Sequence, residues 1–245
     1  MTNADIRNLI NTILREDLRG NPLSPSGFND LLVVENINLF DWFLDRYEFT
    51  SEVSDAISIF KKEVQGASLT VNTTTQKITL PDDFARHRYL MYRYNGTDYR
   101  NFDIVTDGEW GDRLGSSIKV PSLKNPVGNY QGSVLRYSPS TIQPSYLYFG
   151  YFGYPTEPHY DYYIDTGDRE VTLSVGETHT WTTGEVDSSG TEHTTGDDDY
   201  ESQTVELEWR DSEKLKIAYR ILASMGISLS EPQFFQYAKQ VERES

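Results

Sequence analysis

The apolar residues of this chain follow one period near its ends and another in its middle. That pattern confines it to folds that combine helices with a separate sheet region. Ile6, Leu9, Ile10, Ile13 and Leu14, with Leu18 beyond them, recur every three or four residues, the stripe that one face of an α-helix buries. Gly20-Asn21-Pro22 stops that helix. Ser24-Pro25 reads as an N-cap followed by proline in the first turn. Phe28 to Tyr47 follows, with Leu31, Leu32, Ile37, Phe40, Trp42 and Phe43, as one long helix or two short ones. Thr50 caps a third helix that turns Val53, Ile57 and Phe60 inward and carries Lys61-Lys62 near its C-terminal end.

At Gly66 the period shortens to two. Leu69-Thr70-Val71 and Lys77-Ile78-Thr79-Leu80 alternate as strands. Tyr89 to Tyr94 runs into Asn95-Gly96, a strong hairpin signal, with a return strand from Thr97 to Val105. Thr106-Asp107-Gly108-Glu109 has capping-box spacing and predicts a short helix over Glu109 to Leu114. Val127 to Tyr130 and Val134 to Tyr137 flank a Gln131-Gly132 turn, and Tyr146 to Phe152 reads as a strand with aromatics on both faces. Pro155 and Pro158 end that strand or mark an edge.

Residues 165–208 change character again. Val171 to Val175 and Glu177 to Thr182 have strand-like composition, but Gly184 to Ser202 has almost no apolar content and reads as an exposed loop or hairpin tip. Val205 to Trp209 alternates as a strand. Asp211 then caps a helix carrying Leu215, Ile217, Ala218, Ile221, Leu222 and Met225, closed by Gly226. Ser230-Glu231-Pro232 opens a last helix with Phe235, Tyr237, Ala238 and Val241.

The expected fold is α+β: a helical bundle from N- and C-terminal helices, an inserted antiparallel β domain, and a polar acidic hairpin or loop. The expected segments are 1–65 (helical), 66–164 (β), 165–203 (acidic arm) and 204–245 (a strand and helices completing the bundle). A chain of 245 residues is long enough to bury such a core.

Charge sharpens this division. The net charge is -16, but residues 165–208 hold 13 acidic residues against one arginine, and the other 201 residues hold 25 acidic against 21 basic. The body is near neutral and the acidity is concentrated in one projection, which excludes phosphate binding by that arm. The first residues lack the basic start and apolar run of a secretory signal, and no stretch approaches the roughly 20 apolar residues that span a bilayer. The chain has no cysteine, so thiol chemistry and cysteine-ligated metal are excluded.

Catalytic signatures are sparse. The histidines His87, His159, His179 and His193 form no pair at zinc-ligand spacing. His159-Tyr160-Asp161 offers two ligands without a third and reads as a surface loop, and His179 and His193 read as solvated. No nucleophile elbow, phosphate-binding lysine loop or dinucleotide fingerprint is present. Asp197-Asp198-Asp199 lacks the spacing of a calcium loop. The acidic arm is carried by Asp187, Glu192, Asp197, Asp198, Asp199 and Glu201. No catalytic, cofactor-binding or metal-ligating residue is assigned, and no enzymatic activity or cofactor is expected.

Aromatic residues carry the remaining signal. Seven tyrosines crowd into residues 146–163, more than one small β domain needs for its core. Tyrosine suits surfaces that bury an apolar ring while keeping a polar tip wet. Tyr146, Tyr148, Tyr151, Tyr154, Trp209, Phe234, Phe235 and Tyr237 are the candidate interface residues.

The order of segments supports a resemblance. It runs from an N-terminal helical region to Ile78-Thr79-Leu80-Pro81-Asp82-Asp83-Phe84, the strand Arg88 to Tyr94, and Asp107-Gly108-Glu109-Trp110-Gly111-Asp112-Arg113-Leu114. Lys124-Asn125-Pro126-Val127, Val134 to Pro139, Gly153-Tyr154-Pro155-Thr156-Glu157-Pro158 and Leu207-Glu208-Trp209 follow. Across residues 1–164 and 204–245 this pattern resembles structural proteins of crAss-like and other tailed phages of Bacteroidetes, and is similar in plan to head-to-tail adaptor proteins. Residues 165–203 fall outside the pattern. The resemblance implies a non-enzymatic virion protein in a ring, commonly of twelve subunits, beneath the portal protein. Such a ring extends the DNA channel, passes genomic DNA without sequence-specific binding, docks tail components, and is assembled in the host bacterial cytoplasm away from membranes. In that setting Asp211 to Ser245 is the segment expected to dock on an adjacent ring, and an acidic lumen would let DNA slide. The alternatives are a tail hub, collar or fibre-attachment protein, and a glycan-binding or carbohydrate-active protein.

Overall fold

The computed structural model describes residues 1–16, 22–47, 50–94 and 97–227. The chain is α+β, with five α-helices and several antiparallel sheets among the described residues. It divides into two compact units: residues 1–59 with 155–245, and the continuous segment 60–154.

In the first unit, α1 (Asn3–Glu16) buries Ile6, Leu9, Ile10, Ile13 and Leu14 as its spacing requires. Ser24 caps α2 (Pro25–Asp45), accepting from the Gly27 amide, and the stretch is one helix. Thr50 caps α3 (Ser51–Ala56) by accepting from the Val53 amide. That helix stops earlier than its apolar spacing implies. Ile57–Phe60 tightens into a 3-10 turn, and Lys61-Lys62 open a strand instead of closing the helix.

The 60–154 unit contains β1 (Lys61–Gln65), β2 (Val71–Asn72), β3 (Lys77–Thr79), β4 (Phe84–Tyr94), β5 (Asp98–Asn101) and β6 (Asp103–Ile104). It continues with α4 (Asp107–Gly115), β7 (Val127–Gln131), β8 (Val134–Ser138) and β9 (Leu147–Gly153). One sheet runs β1-β9-β4-β5 and the other β2-β3-β8-β7-β6. Leu90, Tyr92, Leu147 and Phe149 from the first sheet share a core with Ile78, Leu135 and Tyr137 from the second. The return strand expected over Thr97 to Val105 splits between sheets: Asn101 pairs with Met91, whereas Asp103 pairs in parallel with Val127. Phe102 sits at the crossover and is buried, so one side chain anchors both sheets. The capping box is present, with Thr106 and Glu109 bonding reciprocally at the start of α4. The β7–β8 hairpin closes through Gly132, at φ +59°.

Returning to the first unit, β10 (Tyr162–Ile164), β11 (Glu170–Thr172), β12 (Thr178–His179), β13 (Val186–Asp187) and β14 (Tyr200–Glu201) form two small sheets, β11-β10-β13 and β12-β14. The arm is thus a folded element: β11 and β12 fall at the two stretches of strand-like composition, and β13 and β14 lie within Gly184 to Ser202, expected as an exposed loop or hairpin tip. Its interior is the buried Trp181, on which His193 stacks at 3.8 Å between ring centroids; His179 stacks on Tyr163 at 3.9 Å. Both histidines are largely covered and bonded to carboxylates, His179 to Glu185 and His193 to Asp187 and Asp197, which corrects their reading as solvated.

Val205 to Trp209 is not a strand; its one ladder contact is an isolated bridge between Val205 and His159. Buried Asn3 stitches that bridge to α1, donating to the His159 and Val205 carbonyls and accepting from the Leu207 amide. Residue Arg210 occupies the cap position of α5 (Asp211–Ser224), with Asp211 inside the first turn. This helix packs on α1 and α2, and Gly226 follows it at φ +81°. The last helix expected from Ser230, the Asn95-Gly96 turn, Leu18 and Gly20-Asn21 lie outside the described residues.

The unit borders therefore fall at 59/60 and 154/155, where patterning placed them at 65/66 and 164/165. The first shift follows from β1, which pairs with β9 from Lys61↔Phe152 to Gln65↔Tyr148. The second follows from Asn29, whose amide bonds both the carbonyl and the amide of Tyr160 and fastens that segment to α2.

Candidate interaction surface

The eight candidate interface residues separate sharply. Tyr146 and Tyr154 are 41% and 44% exposed. Tyr148 is half-buried on the outer face of β9. Tyr151, one strand position on from Gly150, points the opposite way: it is 4% exposed, packs on Phe149 at 5.5 Å, and donates to Asp83 at 3.0 Å. Burial, then the bond to Asp83, pushes its hydroxyl up to about 12. Trp209 is also interior, donating its indole N–H to Asn36 at 2.7 Å beside Phe43. Tyr151 and Trp209 are thus core residues, which corrects their assignment to an interface. Phe234, Phe235 and Tyr237 lie outside the described residues.

Around Tyr148 the first sheet builds a surface that the sequence reading missed. Strand neighbours alternate faces, so Leu90 and Tyr92 enter the core and Tyr89, Met91 and Arg93 face away from it. Across the ladder these meet Gly150, Tyr148 and Tyr99, because Tyr89 pairs with Gly150, Met91 with Tyr148 and Arg93 with Tyr99. Two register shifts in β4, between Phe84 and Arg86 and between His87 and Tyr89, set this parity.

The face interleaves arginine and tyrosine. Arg93 lies over the Tyr146 ring at 5.7 Å, and Arg88 over Tyr89 at 5.3 Å and Phe152 at 5.6 Å. Cations held over rings in this way gain from the ring quadrupole. The Tyr99 and Tyr148 rings meet edge-on at 5.3 Å, and the bond between their side chains pushes the Tyr148 hydroxyl upward. Tyr89 donates to Glu63 from β1, and Gln65 donates to the same carboxylate. Those two bonds, Tyr89's first, hold the Glu63 carboxyl below its ordinary range. The Tyr89 hydroxyl is pushed up by burial and then by Glu63. The Arg93 Nε is buried without a hydrogen-bond partner among the described residues. At the sheet edge, β5 is exposed along its length, with Tyr99 51% exposed.

Tyrosine, arginine and methionine on a pleated face are the residue types that dominate protein interfaces, where they combine apolar area with directional hydrogen bonds. The rest of the molecule offers less. A hollow of about 260 Å³ beside α4 is lined by Glu109, Asp112, Arg113, Ser116 and Lys119, a polar lining unlike the apolar pockets that hold small molecules. No group of three or more histidine, aspartate or glutamate side chains is placed to hold a metal ion among the described residues. No helix among them is long and apolar enough to cross a membrane.

The six arm carboxylates singled out from the sequence also divide. Asp187 accepts from Ser189 and Thr191 and is bonded to His193, and Asp197 accepts from Thr194 and is bonded to His193, so both are internal struts. Asp199 accepts from the Thr180 hydroxyl at 2.8 Å. Glu192, Asp198 and Glu201 point their charge at solvent. The chain matches no known family model, and no curated protein matches it.

Proposed function

We propose that this chain is a structural subunit that assembles by burying the outer Tyr/Arg face of its β1-β9-β4-β5 sheet against a partner. The setting is the portal-to-tail connector of a tailed double-stranded DNA phage, as its resemblance to adaptor proteins implies. There it forms a ring, on the family pattern of twelve subunits, that extends the DNA channel and docks tail components. It carries no enzymatic activity; its work is positioning. The observation that carries this reading is the face itself: Tyr89, Tyr99 and Tyr148 on the sheet, with Tyr146 from the turn before β9, interleaved with Arg88 and Arg93. Such side chains are already held by their neighbours, so little rotamer freedom is lost when a partner covers them.

The N- and C-terminal helices form one bundle, and the β unit is inserted into it. This is supported by α5 packing on α1 and α2 and by the Glu35–Arg220 pair between α2 and α5.

The test is electron microscopy of the purified chain, alone and mixed with a portal ring. Rings, or decoration of the portal ring, support the reading. A chain that stays monomeric and leaves the portal ring bare overturns it.

A further inference from the structure

We infer that the occupant of the Tyr/Arg face is the acidic arm of a second copy of this chain. This rests on the ring reading and names the contact that would build it.

Charge is segregated along the chain. The 60–154 unit holds 11 basic against 8 acidic residues, a net +3, while the remainder holds 11 against 30, a net -19. A chain divided in this way is complementary to itself. The mating patches differ, so the contact is heterologous: each copy presents its face to one neighbour and its arm to the other. A heterologous contact closes into a ring when its rotation permits.

The face carries Arg88 and Arg93 against one carboxylate, Glu63, which Tyr89 and Gln65 already engage. Arg93 is held by stacking on Tyr146, with its Nε buried beneath, so only the outer edge of its guanidinium is offered to a partner. Guanidinium groups stacked on tyrosine match carboxylates in geometry as well as sign.

The stack of His193 on Trp181, with Asp187 and Asp197 bracing the imidazole, makes a folded knob. It leaves Glu192, Asp198 and Glu201 directed outward. A preformed knob docks without the ordering cost of a loop.

Arginine and tyrosine on an open sheet also suit single-stranded nucleic acid. The tethered charge of -19 opposes a polyanion and favours the acidic arm instead.

The experiment is sedimentation velocity on the full chain at about 50 mM and about 500 mM salt, since screening weakens exposed charge contacts. Two variants are compared: Arg88→Glu/Arg93→Glu, and Glu192→Lys/Asp198→Lys/Glu201→Lys, each checked for unchanged circular dichroism. We expect assembly of the wild type at low salt, its loss at high salt, and its loss in each variant alone. An equimolar mixture of the two variants restores assembly, because each reversed patch meets a complementary one. Rings that persist in both variants overturn this contact and leave the ring reading standing. A wild type that stays monomeric at low salt also overturns it, and the ring reading then depends on portal binding. Retention of single-stranded DNA by the wild type, lost in the arginine variant, overturns it in favour of nucleic acid.

Discussion

The His193 imidazole lies flat on the Trp181 indole, with planes 4° from parallel, and its two nitrogens reach Asp187 at 3.2 Å and Asp197 at 3.3 Å. Trp181 is the largest buried side chain of the arm, and Tyr163, His179 and Tyr200 also pack on it. Trp181→Ala removes the centre of that cluster and costs about 3–5 kcal/mol of local stability. Limited proteolysis reads this directly: cleavage appears within residues 165–203, while the 60–154 unit stays intact.

The same carboxylates set an acid limit on the arm. Burial raises the Asp187 carboxyl, but its bonds from Ser189, Thr191 and His193 outweigh that and hold it below its ordinary value of 3.8. The Thr194 amide and hydroxyl, with His193, lower Asp197 in the same direction. A folded carboxylate with a depressed pKa contributes stability that is present above the unfolded value and lost as pH falls through the folded one. Hydrogen-exchange protection of the amides of Glu185, Thr191 and His193 should therefore hold down to about pH 4 and decay below it. Protection that stays level through that range would show that the two aspartates do not hold the arm.

Gly150 lets Tyr89 lie across the sheet face. A Cβ at position 150 would fall 2.5 Å from the Tyr89 ring. Gly150→Val must therefore displace Tyr89, breaking its bond to Glu63 at a cost of about 1–3 kcal/mol. A companion Tyr89→Ala substitution relieves the clash. The double variant should regain most of the lost melting temperature without regaining assembly, which separates the face from the fold.

Local signals were legible and long-range parity was not. Ser24, Thr50 and Thr106 cap helices through bonds spanning three residues, and the β7–β8 hairpin closes through a two-residue turn, so both follow from adjacent residues. The outer face of β4 depends on register shifts beside Arg86 and Tyr89 that no short window contains; with aromatics on both faces of β9, the sequence leaves open which of Tyr148 and Tyr151 faces the core. β1 was hidden because Val53, Ile57 and Phe60 keep helical spacing up to the residue before it. Only Gly184 to Ser202 reads as a loop or hairpin tip, because one tryptophan and two carboxylate-bonded histidines do there what a row of apolar residues does elsewhere. Tyr89, Arg93 and Tyr99 are read from the sequence as strand residues and not as interface candidates; the alternation of Tyr89, Met91 and Arg93 is the signal that points to their shared face.

The helices carry one polar contact whose removal tests their packing. Glu35 on α2 is buried, accepts from Arg220 Nε at 2.8 Å and Ser224 Oγ at 2.7 Å, and receives a longer bond from Asn38. Burial raises its carboxyl, yet Ser224 and then Arg220 hold it below its ordinary value of 4.5. By the same sign, the stability it supplies is complete above about pH 4.5 and falls away below that. Glu35→Ala leaves the Arg220 guanidinium and the Ser224 hydroxyl without their acceptor. Because Arg220 is a third exposed, water recovers part of the loss, and the cost is about 2 kcal/mol instead of the full buried-pair range. Arg220→Met alone should cost less than Glu35→Ala, because Glu35 keeps Ser224 and Asn38. In a double-mutant cycle read by urea unfolding, the two substitutions should be less damaging together than their sum. Strict additivity would mean that the pair does not couple α2 to α5.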